Sequence, residues 1–187
     1  MTSGLAELTE KELARRALEG HQPCYGELMR RHRDAVYRLV RAAVRDADEA
    51  LDVTQESFIA AFAALTRYDS DRPFRLWVSR IAINKCHDWA RRRTVRRFFT
   101  FARPIDEALD ISDHAGTPEE HAAAKESMAR LTAAIDSLPA KLRDILVLRA
   151  IEDFSQADTA HILGITEKAV ETRLYRARAK LSGKLRD

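Results

Sequence analysis

The segment from Ser155 to Val170 constrains the fold of this chain more than any other part of the sequence. Ser155 can cap a helix, with Asp158 at the position of a capping-box acid, and Gly164 can supply the left-handed residue that ends this helix. Thr166 then caps a second helix. A capped helix, a tight glycine turn and another capped helix together predict a helix-turn-helix, whose second helix can lie in a DNA major groove.

The second helix of this motif has an apolar and a polar face. Its apolar residues recur at helical spacing, which predicts that they pack against the rest of the domain; they are Val170, Leu174, Ala177, Leu181 and Leu185. The opposite face is left for DNA, and the residues predicted to bind it are Lys168, Glu171, Thr172, Arg173, Tyr175, Arg176, Arg178 and Lys180. An ordinary amphipathic terminal helix with a solvated basic face is the alternative. The capped helix and glycine turn before it favour DNA contact.

Composition favours a protein without β-strands. The chain has 187 residues, of which 45% are hydrophobic, enough for two compact cores. Only 7% are aromatic and 33% are charged, and the apolar residues recur with helical period, so we predict an all-α fold with two small helical domains. The net charge is only +3, but basic and acidic residues cluster separately along the chain. Separate basic faces suit a polyanion contacted at two places, and separate acidic faces suit a basic protein partner.

Several functional classes find no support in the sequence. The N-terminus is polar and no apolar run approaches the ~20 residues of a membrane span, so we expect a cytoplasmic protein without membrane insertion. Cys24 and Cys86 are too few for a disulfide framework, and with His21 and His87 they match no zinc pattern. No phosphate loop or nucleophile elbow is present. We therefore expect no catalytic residues, no metal, no cofactor and no enzymatic activity.

Caps and apolar spacing predict four helices in the first half of the chain. The first begins at Thr9 and ends before Gly20, and a second spans about residues 24–44. The apolar face of the second is Leu28, His32, Val36, Leu39 and Ala43. A third helix, capped by Asp46, has as its apolar face Leu51, Phe58, Ile59, Phe62 and Leu65. A fourth runs from about Phe74 to Arg93.

The helical pattern breaks between the two halves. A basic and aromatic stretch, residues 96–101, gives way to Pro104 and then to acids. We interpret this part as a flexible interdomain linker, residues 96–118, between a first domain of residues 1–95 and a second of residues 119–187. Helices of about residues 119–136 and 139–150 are predicted to precede the helix-turn-helix.

Four stretches of the chain resemble, in order, the extracytoplasmic-function (ECF) sigma factors, the small two-domain initiation subunits of bacterial RNA polymerase. The stretches are YGELMRRH at residues 25–32, DVTQESF at 52–58, FRLWVSRIAINK at 74–85, and Leu138-Pro139 with the helix-turn-helix ending in TRLYRAR at 172–178. The resemblance implies a sigma region 2 domain followed by a sigma region 4 domain. It implies a protein that recruits core polymerase, reads the −35 element as duplex and reads the −10 element as melted strand. The alternative is a stand-alone helix-turn-helix regulator with an N-terminal sensor or dimerisation domain.

The resemblance assigns the third helix to the polymerase. Asp52, Gln55 and Glu56 correspond to the family surface that binds the clamp helices of the largest polymerase subunit. Those helices are rich in arginine, so acids and an amide on one helix face are chemically suitable partners. A solvated acidic face is the alternative.

The resemblance assigns the loop at residues 66–73 and the fourth helix to the −10 element. A captured base needs stacking and hydrogen-bonding groups, which a tyrosine, an arginine and an asparagine can supply. Further polar residues on the fourth helix, at spacings of three and four, can track a phosphate backbone. The residues predicted to contact this element are Tyr68, Arg72, Arg80, Asn84, His87, Arg91 and Arg92. A packed tyrosine, a solvated arginine and an amide at a helix contact are the alternatives.

The resemblance carries three further expectations. Many relatives have a basic residue where this chain has Glu171, and a carboxylate can accept from the amino group of cytosine, so the preferred base there differs. Arg176 is the best candidate for a guanine or phosphate contact. The acids Asp106, Glu107, Asp110 and Asp113 either enter the polymerase channel or belong to a solvated tether. An anti-sigma protein is the implied regulator.

Overall fold

The computed structural model describes residues 4–100 and 118–186, with side-chain surroundings for 4–96 and 126–186. These residues form eight α-helices and no β-strand, and the chain divides into two compact units, Met1–Phe101 and Ala102–Asp187. The predicted all-α fold with two helical domains is confirmed. Most of the predicted linker, including Asp106, Glu107, Asp110 and Asp113, lies outside the described residues.

The first unit contains four helices. They are α1 (Glu10–Leu18), α2 (Gln22–Ala43), α3 (Ala47–Ala63) and α4 (Phe74–Thr100), with a 3-10 turn at Leu65–Arg67 after α3. The side chain of Thr9 accepts a hydrogen bond from the backbone N–H of Glu12, and that of Asp46 accepts from Glu49. Each bond satisfies an N–H group that the first turn of a helix leaves unpaired, so the two predicted starts are confirmed.

Helix α4 is longer than the sequence pattern predicts. It ends at Thr100, and the predicted end at Arg93 was wrong. No glycine or proline interrupts residues 74–100, and arginine is a good helix former. The apolar period is lost after Arg93, and Thr94, Val95 and Arg96 are exposed, so this part of the helix needs no buried stripe.

The buried face of α3 differs from the predicted one. Phe58 and Leu65 are buried as expected, but Leu51, Ile59 and Phe62 are 46%, 62% and 38% exposed. Small residues face the neighbouring helices instead: Ala50, Val53, Thr54, Ser57 and Ala61. The buried hydroxyls donate within their own helix, to backbone carbonyls at 2.7 Å, and so have partners.

The predicted face of α2 is correct. Leu28, His32, Val36 and Leu39 are buried, and Ala43 is partly buried. Helix α2 contacts α1, α3 and α4, so this face is the centre of the first unit. Phe74, the first residue of α4, is fully buried.

The second unit also has four helices. They are α5 (Pro118–Asp136), α6 (Ala140–Leu146), α7 (Gln156–Leu163) and α8 (Glu167–Lys184), with a π-helical turn at Val147–Ile151 after α6. Two apolar clusters hold α8 in place. One joins Leu138, Leu146 and Ala177, and the other joins Ile145, Ala160 and Val170.

The helix-turn-helix has the caps that the sequence predicts. Ser155 accepts from Asp158 N–H, Thr166 accepts from Ala169 N–H, and Gly164 has a left-handed φ of 62°. Along α8, Val170 and Ala177 are buried and the other predicted apolar residues, Leu174, Leu181 and Leu185, are partly buried. The predicted inward stripe is confirmed, and the orientation of α8 about its axis is therefore fixed.

Candidate nucleic-acid and polymerase interfaces

The outward face of α8 is basic and open to solvent. Of the eight residues predicted to bind DNA, all are exposed except Arg173, which is partly buried. Tyr175 is the most prominent, with 75% of its surface exposed. A large ring with so little intramolecular cover is suited to contact with a base edge or sugar.

Two of the predicted DNA-contacting residues pair with each other. Lys168 Nζ lies 2.7 Å from a carboxylate oxygen of Glu171, one turn along the helix. Both side chains are more than half exposed, at 81% and 57%, so solvent screens the pair and either partner can exchange it for a DNA group. The hydroxyl of Thr172 donates to the carbonyl of Lys168 at 2.9 Å.

A lysine outside the helix-turn-helix extends this basic face. Lys141, in the first turn of α6, lines a groove of about 460 Å³ together with Arg173, Arg176 and Lys180 of α8. Lys141 is not among the residues predicted to bind DNA, because it lies far from the motif in the sequence and no local pattern links it to α8. The packing of α6 on α8 brings it there.

The exposed side of α4 carries the second polar row. Arg80, Asn84, Arg91 and Arg92 are exposed and His87 is partly buried. Arg91 pairs with Asp88 on the same helix. The indole N–H of Trp89 donates a hydrogen bond to the carboxylate of Glu49 on α3 at 2.8 Å. The row is thus presented by a helix that is anchored on α3.

The loop before α4 has two exposed arginines, Arg67 and Arg72, and one packed ring, that of Tyr68. The ring of Tyr68 lies 5.3 Å from the rings of both Phe74 and Trp77, and its hydroxyl donates to the carbonyl of Arg72 at 2.7 Å. Burial, followed by the charges of Glu10 and Asp69, raises the pKa of Tyr68 to about 12. Tyr68 therefore shapes the loop. Arg72 Nε lies 3.5 Å from a carboxylate oxygen of Asp69, and its side chain is 53% exposed.

The predicted polymerase face on α3, comprising Asp52, Gln55 and Glu56, is available at the surface. Asp52 and Gln55 are exposed, and Glu56 is partly buried. A carboxylate oxygen of Glu56 lies 3.6 Å from Lys85 Nζ and 3.4 Å from a guanidinium nitrogen of Arg92, both on α4. The acid predicted to bind polymerase thus touches an arginine predicted to bind DNA, and no sequence pattern linked them.

The described part of the chain comprises residues 4–100 and 118–186. Within these ranges no three His, Cys, Asp or Glu side chains are grouped so as to hold a metal ion. Across the same described residues, no helix combines the length and apolar character needed to cross a bilayer.

Comparisons with known proteins match both units. Residues 28–96 match the family model "Sigma-70 region 2", and residues 128–181 match "Sigma-70, region 4". The chain is 38% identical over 179 residues to the RNA polymerase sigma factor CnrH of Cupriavidus metallidurans, with 94% of each chain covered. The chain belongs to the ECF family of RNA polymerase sigma factors.

Other ECF relatives and solved structures agree. SigM of Mycobacterium tuberculosis is 28% identical over 96% of this chain and 86% of its own length. A structure of CnrH in complex with the cytosolic domain of CnrY superimposes with a TM-score of 0.70 at 35% identity, covering 94% of this chain and 96% of that one. Sigma factor RpoE of Bartonella quintana, solved with the anti-sigma factor NepR, shares the fold with a TM-score of 0.72 at 19% identity, covering 87% and 96%. The family is one of transcription initiation factors that bind RNA polymerase and promoter DNA, and a stand-alone regulator is not favoured.

Proposed function

We propose that this sigma factor reads its promoter with two separate surfaces. The region 4 unit reads the −35 element as duplex through the outward face of α8, and the region 2 unit holds the melted −10 strand through residues 66–73 and the exposed side of α4. The exposure of the polar face of α8, opposite a stripe packed on α6 and α7, is the observation that carries this proposal. A helix held in this way can enter a major groove without rearrangement.

Within α8 the side chains divide by their chemistry. Arg176 and Tyr175 are exposed and are assigned to base edges, with Glu171 accepting from a cytosine amino group in place of its bond to Lys168. Arg173, Arg178 and Lys180 are assigned to phosphates, together with Lys141 from α6. Phosphate contacts give affinity that falls with salt, and base contacts give the sequence preference.

The −10 strand is assigned to the row from Arg80 to Arg92 and to Arg72. Asn84, near the middle of α4, can both donate to and accept from a base, and the arginines neutralise phosphates. Tyr68 contributes by holding the loop, and the exposed guanidinium of Arg72 is the group offered to the captured base. The contacts of Asn84 and Arg72 with the base offset the free energy that the base loses when it leaves the stack.

Core polymerase is assigned to α3. Asp52, Gln55 and Glu56 supply acceptors for arginine side chains, with the exposed Leu51 and Ile59 adding apolar contact beside them. The protein acts in the cytoplasm with the polymerase, uses no cofactor and performs no catalysis of its own. By analogy with the CnrH and RpoE complexes, an anti-sigma protein holds it inactive.

In vitro transcription with purified bacterial core polymerase tests these assignments. A library randomised at the −35 and −10 elements should yield defined start sites that require the sigma factor, with preferred bases at both elements. Arg176→Ala should relax the −35 preference, and Asn84→Ala should relax the −10 preference. Transcription that does not depend on either element, or no transcription at all, would contradict the proposal.

A further inference from the structure

The start of α4 lacks a cap of its own. Pro73, the residue before the helix, has no side-chain acceptor, and the first turn contains no acidic residue. The N-terminus of a long helix carries partial positive charge and unpaired N–H groups, which need an acceptor when they are buried. Phe74, the first residue, is fully buried.

Glu10 of α1 supplies this acceptor from a distant part of the sequence. One carboxylate oxygen accepts a hydrogen bond from Phe74 N–H at 2.8 Å, and the other lies 2.9 Å from His32 Nε2 on α2. These contacts, with that of His32 first, hold the pKa of Glu10 below its usual value. A single carboxylate therefore joins three helices at the point where the −10 loop, residues 66–73, enters α4.

Helix α1 and the segment just before it are held in place by separate contacts. Leu13 is fully buried in the core, and the guanidinium of Arg31 donates to the carbonyls of Leu5, Ala6 and Leu8 at 2.8 to 3.0 Å. Lys11 adds a solvent-exposed pair with Asp71 of the −10 loop at 2.9 Å, which contributes little by itself. Because α1 is anchored, the carboxylate of Glu10 has a defined position and can hold the −10 loop in place.

The aromatic cluster carries this constraint to the loop. Phe74 lies 5.3 Å from the ring of Tyr68 and 5.4 Å from that of Trp77. The hydroxyl of Tyr68 in turn donates to the carbonyl of Arg72, the residue assigned to the captured base. A shift of Phe74 would move both ends of the loop.

We propose that Glu10 is a positioning residue for −10 recognition, which caps α4 from α1 and thereby sets the geometry of the base-capturing loop. It lies before residue 28, where the match to sigma region 2 begins. The inference rests on the proposed function of the −10 loop. Glu10 itself touches no DNA in this scheme and acts through Phe74.

The experiment compares Glu10→Ala, Glu10→Gln and a control, Glu12→Ala, each bound to core polymerase. Glu12 lies on the same helix, and its ion pairs among the described residues stay within α1, with Arg15 and Arg16 at 2.8 Å. Affinity is measured for a labelled single strand carrying the −10 sequence selected by transcription, and for strands with each other base at the captured position. Core affinity and thermal unfolding are measured for every variant.

Glu10→Ala should weaken binding of the −10 strand roughly tenfold and reduce the preference for the correct base, since a charge-assisted hydrogen bond is lost. Glu10→Gln keeps an acceptor for Phe74 N–H, so its affinity for the −10 strand should fall only about threefold. Core affinity should not change in any variant, and Glu12→Ala should bind the strand as the unmodified protein does. A general loss of stability would not reduce the preference for one base over the others, and it would not be rescued by glutamine.

Equal base preference in Glu10→Ala and the unmodified protein would overturn the inference while leaving the proposed function intact. Parallel loss of strand and core affinity, without rescue by glutamine, would also overturn it. If the unmodified complex does not bind the −10 strand at all, the proposed function fails, and the inference fails with it.

Discussion

Replacement of Glu56 by glutamine separates binding to polymerase from stability. In the free protein Glu56 contacts Lys85 and Arg92 at 3.6 and 3.4 Å, with side-chain exposures of 42%, 31% and 55%. Two unit charges at such a distance interact by about 1 kcal/mol in water, and exposed pairs contribute a median of about 0–1 kcal/mol after entropy and screening. We therefore expect the free energy of unfolding to fall by less than about 1 kcal/mol.

The effect on core polymerase should be larger. If Glu56 is desolvated against an arginine of the clamp, truncation of that pair costs about 2 kcal/mol or more, which is about thirtyfold in affinity. Competition binding to core polymerase at several salt concentrations, together with urea unfolding, measures both quantities. Glu12→Gln is the matched control, because that carboxylate also pairs with two cations but lies on α1. Unchanged core affinity in Glu56→Gln, or a loss of several kcal/mol in stability, would refute this reasoning.

Three other changes test different parts of the molecule. Arg176→Ala should lower affinity for −35 duplex by about tenfold or more and leave core binding intact, as measured by duplex shift and core competition; loss of core binding would refute the assignment. Gly164→Ala should lower the free energy of unfolding by about 1–2 kcal/mol, because an alanine at a φ of 62° is strained. An added Cβ would have no atom within 4 Å, so the loss comes from backbone conformation and not from a clash. Thermal unfolding measures this loss, and an unchanged Tm would contradict it. Burial raises the pKa of Tyr25 to about 12, above its ordinary value of 10.0, so its neutral form stabilises the fold below pH 10 and this stability is lost as the pH rises through 12. Tyr25→Phe should remove that loss in alkaline unfolding, and an unaltered alkaline profile would show that Tyr25 is not its source.

The prediction for α3 failed for a definite reason. The large apolar residues of α3 recur at helical spacing, and this pattern predicted that Leu51, Ile59 and Phe62 are buried. All three are exposed in the structure. Close packing between helices selects small residues such as Ala50, Ser57 and Ala61, and their burial depends on neighbours that are distant in the sequence. The end of α4 was misplaced for a related reason, because a helix that needs no buried face leaves no apolar signal.

The sequence by itself determined the local features of this sigma factor. The caps at Thr9, Asp46, Ser155 and Thr166, the left-handed Gly164 and the inward stripe of α8 depend on residues within one or two helical turns, so their spacing is readable directly. Only the tertiary structure decided which distant side chains meet. Glu10 with Phe74, Glu56 with Arg92, and Lys141 beside Arg176 are brought together by helix packing, and the free energy of packing belongs to the whole fold rather than to any short segment.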